Sequence, residues 1–295
     1  MNPYILSCEM PADLSKEHFE NRDILYIPFH FFLDEKEYLE DFGKTVPFPD
    51  FYKKIAAGAM TRTSQPNISE YVAAFTPYLE KGQDVVHLCL SSGISGAYNS
   101  CKNAAEILAE RFPGQKVYVI DSLAASSGMG LLADMAADRR DEGMTAAELA
   151  DWLEKNRLRV HHWFFTTDLS TFVRGGRVSK AAGVFGGLLD ICPLLNVDSA
   201  GKLTAREKIR TKKRVIRETV KKMEQFAENG RAYDGKCYIS QSACYEDARA
   251  VADLIEERFP NLKGKVEINW VGNLIGSHTG PGTVALFFCS KGNRE

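Results

Sequence analysis

Short apolar runs rich in β-branched residues alternate with longer amphipathic stretches through the first half of the chain. Val85-Val86-His87-Leu88-Cys89-Leu90 and Lys116-Val117-Tyr118-Val119-Ile120 read as buried strands of a parallel sheet. Residues 4–6 and 24–27 read as two more strands, and residues 31–38 as a hairpin with an acidic turn. Helical spacing predicts helices over residues 51–59, 67–81, 96–111, 126–141 and 145–156. Asn67 with Glu70, and Thr145 with Glu148, stand at capping-box spacing. Residues 61–67 form a polar loop closed by Pro66. Such alternation predicts a parallel sheet with helices on both faces. Ligands of these sheets bind at the carboxyl ends of strands, where Thr63, Ser95 and Asp121-Ser122 fall.

Near Arg157 the pattern changes. Strands are expected over residues 160–166, 191–197, 202–209, 236–240, 265–270 and 283–289. The second and third form an antiparallel pair joined by Asp198-Ser199-Ala200-Gly201, a turn signal. A small-residue helix is expected over 179–189, a long basic helix capped by Thr211 and ending near 229, and a further helix over 246–259. The expected fold is α/β in two domains. Residues 1–157 form an N-terminal parallel-sheet α/β domain. Residues 158–295 form a C-terminal α+β domain with a mixed, largely antiparallel sheet.

The 295 residues are 44% hydrophobic and 26% charged, the composition of a globular protein that can bury a large core. The formal net charge of −2 gives no overall bias toward nucleic acid. It conceals a basic segment: residues 202–222 carry ten Lys/Arg against two Asp/Glu. The seven cysteines show no C-x-x-C spacing, which fits a reduced, cytoplasmic setting. The N-terminal residues have neither the basic nor the apolar region of a signal peptide, and no apolar run reaches membrane-spanning length. A monomer is expected.

Four stretches carry candidate chemistry. The first is Ser91-Ser92-Gly93-Ile94-Ser95-Gly96, between a strand and a helix. A helix start offers free N–H groups and partial positive charge, so hydroxyls and glycines there suit an anion. The alternative is simple N-capping. Thr63, on a neighbouring polar loop, is a further donor to a carboxylate or phosphate, or a turn residue. The second is Arg174-Gly175-Gly176-Arg177. Paired glycines let backbone N–H groups converge into an anion nest, and arginine supplies a permanent planar charge; otherwise it is a turn with two solvated arginines. The third stretch spans residues 272–282, where four glycines and Pro281 surround His278. The histidine could donate to a carboxylate or act as a base, or sit in a rigid surface turn. The fourth is the basic segment, either a solvated face or a docking surface for an acidic protein or anionic phosphate donor.

Other signals fail. Ala97 stands where a G-x-S-x-G elbow requires glycine. Gly128-Met129-Gly130-Leu131-Leu132-Ala133 matches G-x-G-x-x-A but lies inside a helix, so no dinucleotide site is expected. His161-His162 has no carboxylate or cysteine at ligand spacing, so no metal is expected.

Taken together, Thr63-Ser64-Gln65-Pro66, Ser91-Ser92-Gly93-Ile94-Ser95-Gly96, Val119-Ile120-Asp121-Ser122, Arg174-Gly175-Gly176-Arg177 and Gly276-Ser277-His278-Thr279-Gly280-Pro281-Gly282 resemble the DegV family of bacterial fatty-acid-binding proteins. One departure stands out: Ser7-Cys8-Glu9-Met10 replaces the family's Asp-Ser pair after the first strand, while Ala12-Asp13-Leu14 is retained. The resemblance implies a long-chain fatty acid buried in a tunnel between two α/β domains. Its carboxylate would meet Thr63, Ser95 and His278, with Arg177 and Arg174 near the head group. It further implies the binding subunit of a fatty-acid kinase system feeding phospholipid synthesis. A separate ATP-dependent kinase would make the acyl phosphate, so the chain would have no turnover or cofactor of its own. Arg206, Lys208 and Arg210 are the expected docking residues for that kinase. At roughly 0.8 kcal/mol per buried CH₂, a long chain contributes on the order of 10 kcal/mol gross. The competing readings are a hydrolase or acyltransferase using Ser95 and His278, and a carrier of another anionic amphiphile.

Overall fold

Parallel pairing of buried strands builds the first half of the molecule. The computed structural model describes residues 4–179 and 191–295. The first half runs β1 (Tyr4–Glu9), α1 (Lys16–Asn21), β2 (Ile24–Ile27), β3 (His30–Leu33), β4 (Lys36–Leu39), α2 (Phe48–Ala56), β5 (Thr61–Ser64) and α3 (Ile68–Leu79). It continues with β6 (Asp84–Cys89), α4 (Ala97–Arg111), β7 (Val117–Asp121), α5 (Ser127–Asp141) and α6 (Ala146–Asn156). Four of these strands form a wholly parallel sheet in the order β2-β1-β6-β7. Helices α3 and α4 cover one face; α5 and α6 cover the other. Both expected capping boxes form, at Asn67–Glu70 and Thr145–Glu148.

The second half runs β8 (Val160–Phe165), α7 (Ser170–Arg174), β9 (Ile191–Val197), β10 (Leu203–Arg210), α8 (Lys212–Phe226), β11 (Cys237–Gln241) and α9 (Tyr245–Arg258). It ends with β12 (Val266–Trp270), α10 (Asn273–Thr279) and β13 (Val284–Cys289). Its six strands are ordered β10-β9-β8-β13-β11-β12, antiparallel except for the parallel pair β11–β12. The sheet is therefore mixed and largely antiparallel, as the sequence predicts. Helices α8 and α9 pack on its outer face. Along β8, Trp163 and Phe165 join the core beneath those helices, while Phe164 joins the core on the opposite face.

That opposite face meets α5, which touches both sheets. A helix between two sheets is buried nearly all round, and eleven residues of α5 are buried. Its glycines allow the close approach. A Cβ on Gly130 would lie 2.6 Å from the Ala12 carbonyl oxygen, and one on Gly128 would lie 2.2 Å from His162 Nε2. The G-x-G-x-x-A string thus serves helix packing. One hydrophobic cluster runs through both halves, joining Leu6, Leu88 and Ile120 to Phe164, Leu195 and Phe287.

Several elements differ from expectation. Residues 61–64 form strand β5 rather than a loop: β5 pairs with β3, and β4, β3 and β5 make a small antiparallel sheet. Thr61 and Thr63 are half-buried, while Arg62 and Ser64 are exposed, the alternation of an edge strand. The glycine-rich segment 272–282 contains helix α10, with Gly272 at its N-cap and Gly280 (φ +65°) at its C-cap. Thr211 precedes α8 with φ +76° and makes no side-chain capping bond. The helix expected over 179–189 falls, apart from Ser179, outside the described residues. The described residues contain no disulfide. No helix among the described residues is long and apolar enough to cross a membrane.

Candidate functional site

A cavity lies between β8, β13 and the loop leading into α5 on one side and the loops after β5 and β6 on the other. The first half lines it with Phe29, Leu90, Ile94 and Ala125, the second with Phe164, Phe172, Leu274 and Phe287. Its volume is about 160 Å³. The polar side chains Thr63, Gln65, Ser95, Arg177 and His278 also line it.

Strand β5 and helix α10 are bonded together there. Thr61 Oγ1 donates to the Ser277 carbonyl at 2.8 Å, and Thr63 Oγ1 lies 2.8 Å from His278 Nε2. Burial first, then the Arg177 charge, hold the His278 pKa down at about 3, so the ring is neutral. Its Nδ1 has no hydrogen-bond partner among the described residues. That atom faces Gly175, where a Cβ would approach it to 2.5 Å.

This changes the reading of Arg174-Gly175-Gly176-Arg177. The turn is not an open anion nest, because its N–H groups are already used. Gly175 N donates to the Thr171 carbonyl, Gly176 N to Val173 and Arg177 N to Phe172. With Gly176 at φ +71°, this is a Schellman-type stop to α7. Gly175 clears space for His278, and the turn aims Arg177 at the cavity. The Arg177 guanidinium donates to the Gly175 carbonyl at 2.7 Å. No carboxylate among the described residues pairs with it. Arg174 stands exposed at the end of α7, outside the cavity lining.

The Ser91–Gly96 turn combines capping with site construction. Ser95 Oγ accepts from Ala97 N at 3.2 Å, and Ser95 lines the cavity. Ser91 Oγ donates to the Gly201 carbonyl at 2.8 Å, fastening the turn to the β9–β10 hairpin. Asp121 Oδ1 accepts from Ser92 N and Leu123 N, each at 3.1 Å, so it braces the turn and lies outside the lining.

Arg206, Lys208 and Arg210 are exposed and spaced two apart on β10, an edge strand. Between them, Glu207 Oε1 turns to Lys222 Nζ at 2.5 Å. A surface groove containing Thr204 and Ala205 of β10 shares Ile94, Arg177 and Leu203 with the cavity. The basic strand therefore adjoins the mouth.

Other groups escaped the sequence reading. Asp13 and Glu40 meet at the start of α10: Asp13 Oδ1 accepts from Gly272 N at 2.9 Å, and Glu40 Oε1 from Leu274 N at 3.3 Å. Burial raises Asp13 to about 7; burial and the neighbouring Asp13 raise Glu40 to about 8. The retained Ala-Asp-Leu string was the available signal for Asp13; Glu40 had none. Gln65 also lines the cavity and donates to Ser100 Oγ at 2.7 Å. Elsewhere, possible ligand atoms of His87, Cys89 and Cys101 lie within 4.8 Å of one another. All three residues are buried. Burial pushes the Cys89 thiol well up, and His87 Nδ1 lies 2.9 Å from Ser7 Oγ. The Cys89 thiolate is thus disfavoured, and the trio packs as core.

Comparison with known proteins gives a consistent result. The family model described as "Uncharacterised protein, DegV family" matches residues 11–291. A DegV domain-containing protein of Clostridium perfringens is 34% identical over 288 residues, which cover 98% of each chain. The solved structure of DegV, a fatty acid binding protein from Bacillus subtilis, is 27% identical with a TM-score of 0.81, covering 98% of this chain and 99% of that one. The Streptococcus pneumoniae Fatty Acid Kinase (Fak) B3 protein, loaded with linoleic acid, has the same fold: TM-score 0.83 at 19% identity, with 98% of this chain and 99% of that one covered.

Proposed function

The chain belongs to the DegV family, and on that premise we propose that it binds a long-chain fatty acid and presents the carboxylate to a separate kinase. The observation that carries this reading is the cavity's makeup. Apolar side chains from both halves surround it, and a half-buried Arg177 without an acidic partner among the described residues stands beside hydroxyls and a neutral histidine. An acyl tail removes apolar surface from water at roughly 0.8 kcal/mol per CH₂. A carboxylate beside Arg177 supplies the missing charge, and the Thr63 and Ser95 hydroxyls supply hydrogen bonds strengthened by that charge, with His278 Nε2 holding Thr63 in place.

In this reading the chain holds and orients, and the kinase supplies the phosphate. The exposed row Arg206, Lys208 and Arg210 is the proposed docking face, because it adjoins the groove that shares Arg177 with the cavity. The two proposed domains, 1–157 and 158–295, both contribute to the wall, and the loaded chain acts as a monomer.

A Ser95–His278 hydrolase finds less support. The imidazole Nε2 is engaged by Thr63 rather than Ser95, and a histidine held near 3 is a weak base.

Native mass spectrometry of protein from a bacterial host tests the reading. A co-purifying fatty acid, with Tm raised by added oleate, is expected. A protein that stays empty and is not stabilised by any long-chain acid overturns it. His278→Ala should weaken binding by about tenfold, because the Thr63 hydroxyl loses the partner that aligns it on the charged group.

A further inference from the structure

Two hydroxyls that line the cavity, Thr63 and Ser95, come from different sheets. Thr63 lies on β5, an edge of the small antiparallel sheet, whereas Ser95 follows β6 of the parallel sheet. Two donors can grip one carboxylate only when their separation is held to within about 0.5 Å. His278 steadies Thr63, and the Ala97 N–H steadies Ser95. Neither of those bonds spans from β5 to the turn.

Gln65 does span them. It stands two residues beyond Thr63, the spacing of one strand face, and both residues line the cavity. Its Nε2 donates at 2.7 Å to Ser100 Oγ, in the first turn of α4. Its amide also lies against Gly96, the residue after Ser95. A Cβ on Gly96 would be 2.7 Å from Gln65 Oε1 and 3.2 Å from Nε2. Gly96 has φ −85° and ψ 1°, a turn conformation that most residues adopt. The backbone therefore does not call for glycine at 96; the amide takes the space of a side chain. With Pro66 and Ser100, Gln65 also borders a groove on the outer surface, so it forms part of the wall between cavity and surface. The amide is thus wedged between the strand that carries Thr63 and the turn that carries Ser95.

We infer that Gln65 is a positioning residue that sets the spacing of Thr63 and Ser95, so that both hydroxyls reach one carboxylate. This deepens the fatty-acid reading, on which it rests. Preference for a carboxylate over an uncharged head on the same tail passes through a side chain that does not itself bond the ligand.

Dissociation constants of tetradecanoic acid and 1-tetradecanol, measured on the delipidated full chain, test it. Wild type should prefer the acid. Gln65→Ala removes the amide, and Gly96→Ala pushes it aside. Each should lower acid affinity about tenfold, equivalent to about 1.4 kcal/mol, while alcohol affinity stays within about threefold. Adding Gln65→Ala to Ser95→Ala should cost less than about threefold more, because with one hydroxyl gone no pair remains to be aligned. Gln65 is half-buried, so its truncation should leave the fold; thermal melts check both variants, and either one alone carries the test. Unchanged acid affinity in a folded variant, equal losses of acid and alcohol, or a wild type without preference for the acid overturns the inference and leaves the fatty-acid reading standing. So does a further loss of about tenfold on top of Ser95→Ala, which would make Gln65 a direct contact. A wild-type chain that binds neither ligand defeats both readings.

Discussion

Gly175→Ala separates the proposed head-group site from ordinary packing. Residue 175 has φ −72° and ψ −7°, so alanine suits the backbone. The added Cβ would lie 2.5 Å from His278 Nδ1 and 3.2 Å from the Thr171 carbonyl oxygen. Ordinary contacts need about 3.5 Å, so the ring must retreat by on the order of 1 Å. Thr63 bonds the far side of the ring at 2.8 Å, so the retreat would crowd that contact and force it out of alignment. Losing the aligned donor costs about 1.5–3 kcal/mol against a charged carboxylate, a fall in affinity of about ten- to hundredfold. Overpacking costs about 1–3 kcal/mol, partly offset by about 0.4–1 kcal/mol from restricting the unfolded chain. Gly176→Ala is the control. That residue has φ +71° with nothing near its missing Cβ, so alanine there strains the turn by about 1–2 kcal/mol without touching the histidine. Displacement of a fluorescent fatty acid, with thermal melts alongside, reads both effects. Unaltered affinity in folded Gly175→Ala, or an equal loss in Gly176→Ala, refutes the reasoning.

Two further outcomes follow. Asp13 and Glu40 sit at about 7 and about 8, above their unfolded values near 4. The native state therefore keeps protons that the unfolded chain has released. Their contribution to stability is full below about pH 4 and is lost as pH rises through 8. The buried neutral histidines act oppositely below about pH 6.5, and His18, raised to about 9 by its hydrogen bonds to Asp134 and Glu267, adds a decline of the same sign above it, so between pH 6.5 and 8.5 the difference between wild type and variant carries the reading. Tm should decline there, and less steeply in Asp13→Asn/Glu40→Gln; equal slopes in wild type and variant contradict the assignment. Arg210→Glu should reduce kinase-coupled acyl-phosphate formation several-fold while fatty-acid affinity holds. Loss of affinity instead would remove the docking role.

What the sequence revealed was chiefly local. The Asn67 and Thr145 capping boxes involve residues three apart, and the parallel strands announce themselves by continuous apolar runs. β5 was missed because its partner β3 lies some thirty positions away and supplies the pairing that Thr-Arg-Thr-Ser lacks alone. The double glycine was recognised as special, but its purpose depends on His278, about a hundred residues on. Likewise, Gly272 and Gly280 suggested a turn although they bracket a helix. The protonation of Glu40 arises from burial, which only the assembled fold creates. Thr63, Ser95, His278 and Arg177 do gather around one cavity, whereas Arg174 faces outward.

Strand β10 has a second consequence. It closes one side of the six-stranded sheet, and a rim of unpaired backbone groups invites another chain to add a strand. Here the pairing register slips between Ala205 and Glu207, kinking the rim, and Arg206, Lys208 and Arg210 give it like charge. A second copy approaching edge to edge would meet a bent, mutually repelling border. The features proposed to welcome an acidic partner thus also oppose edge-to-edge strand pairing between copies.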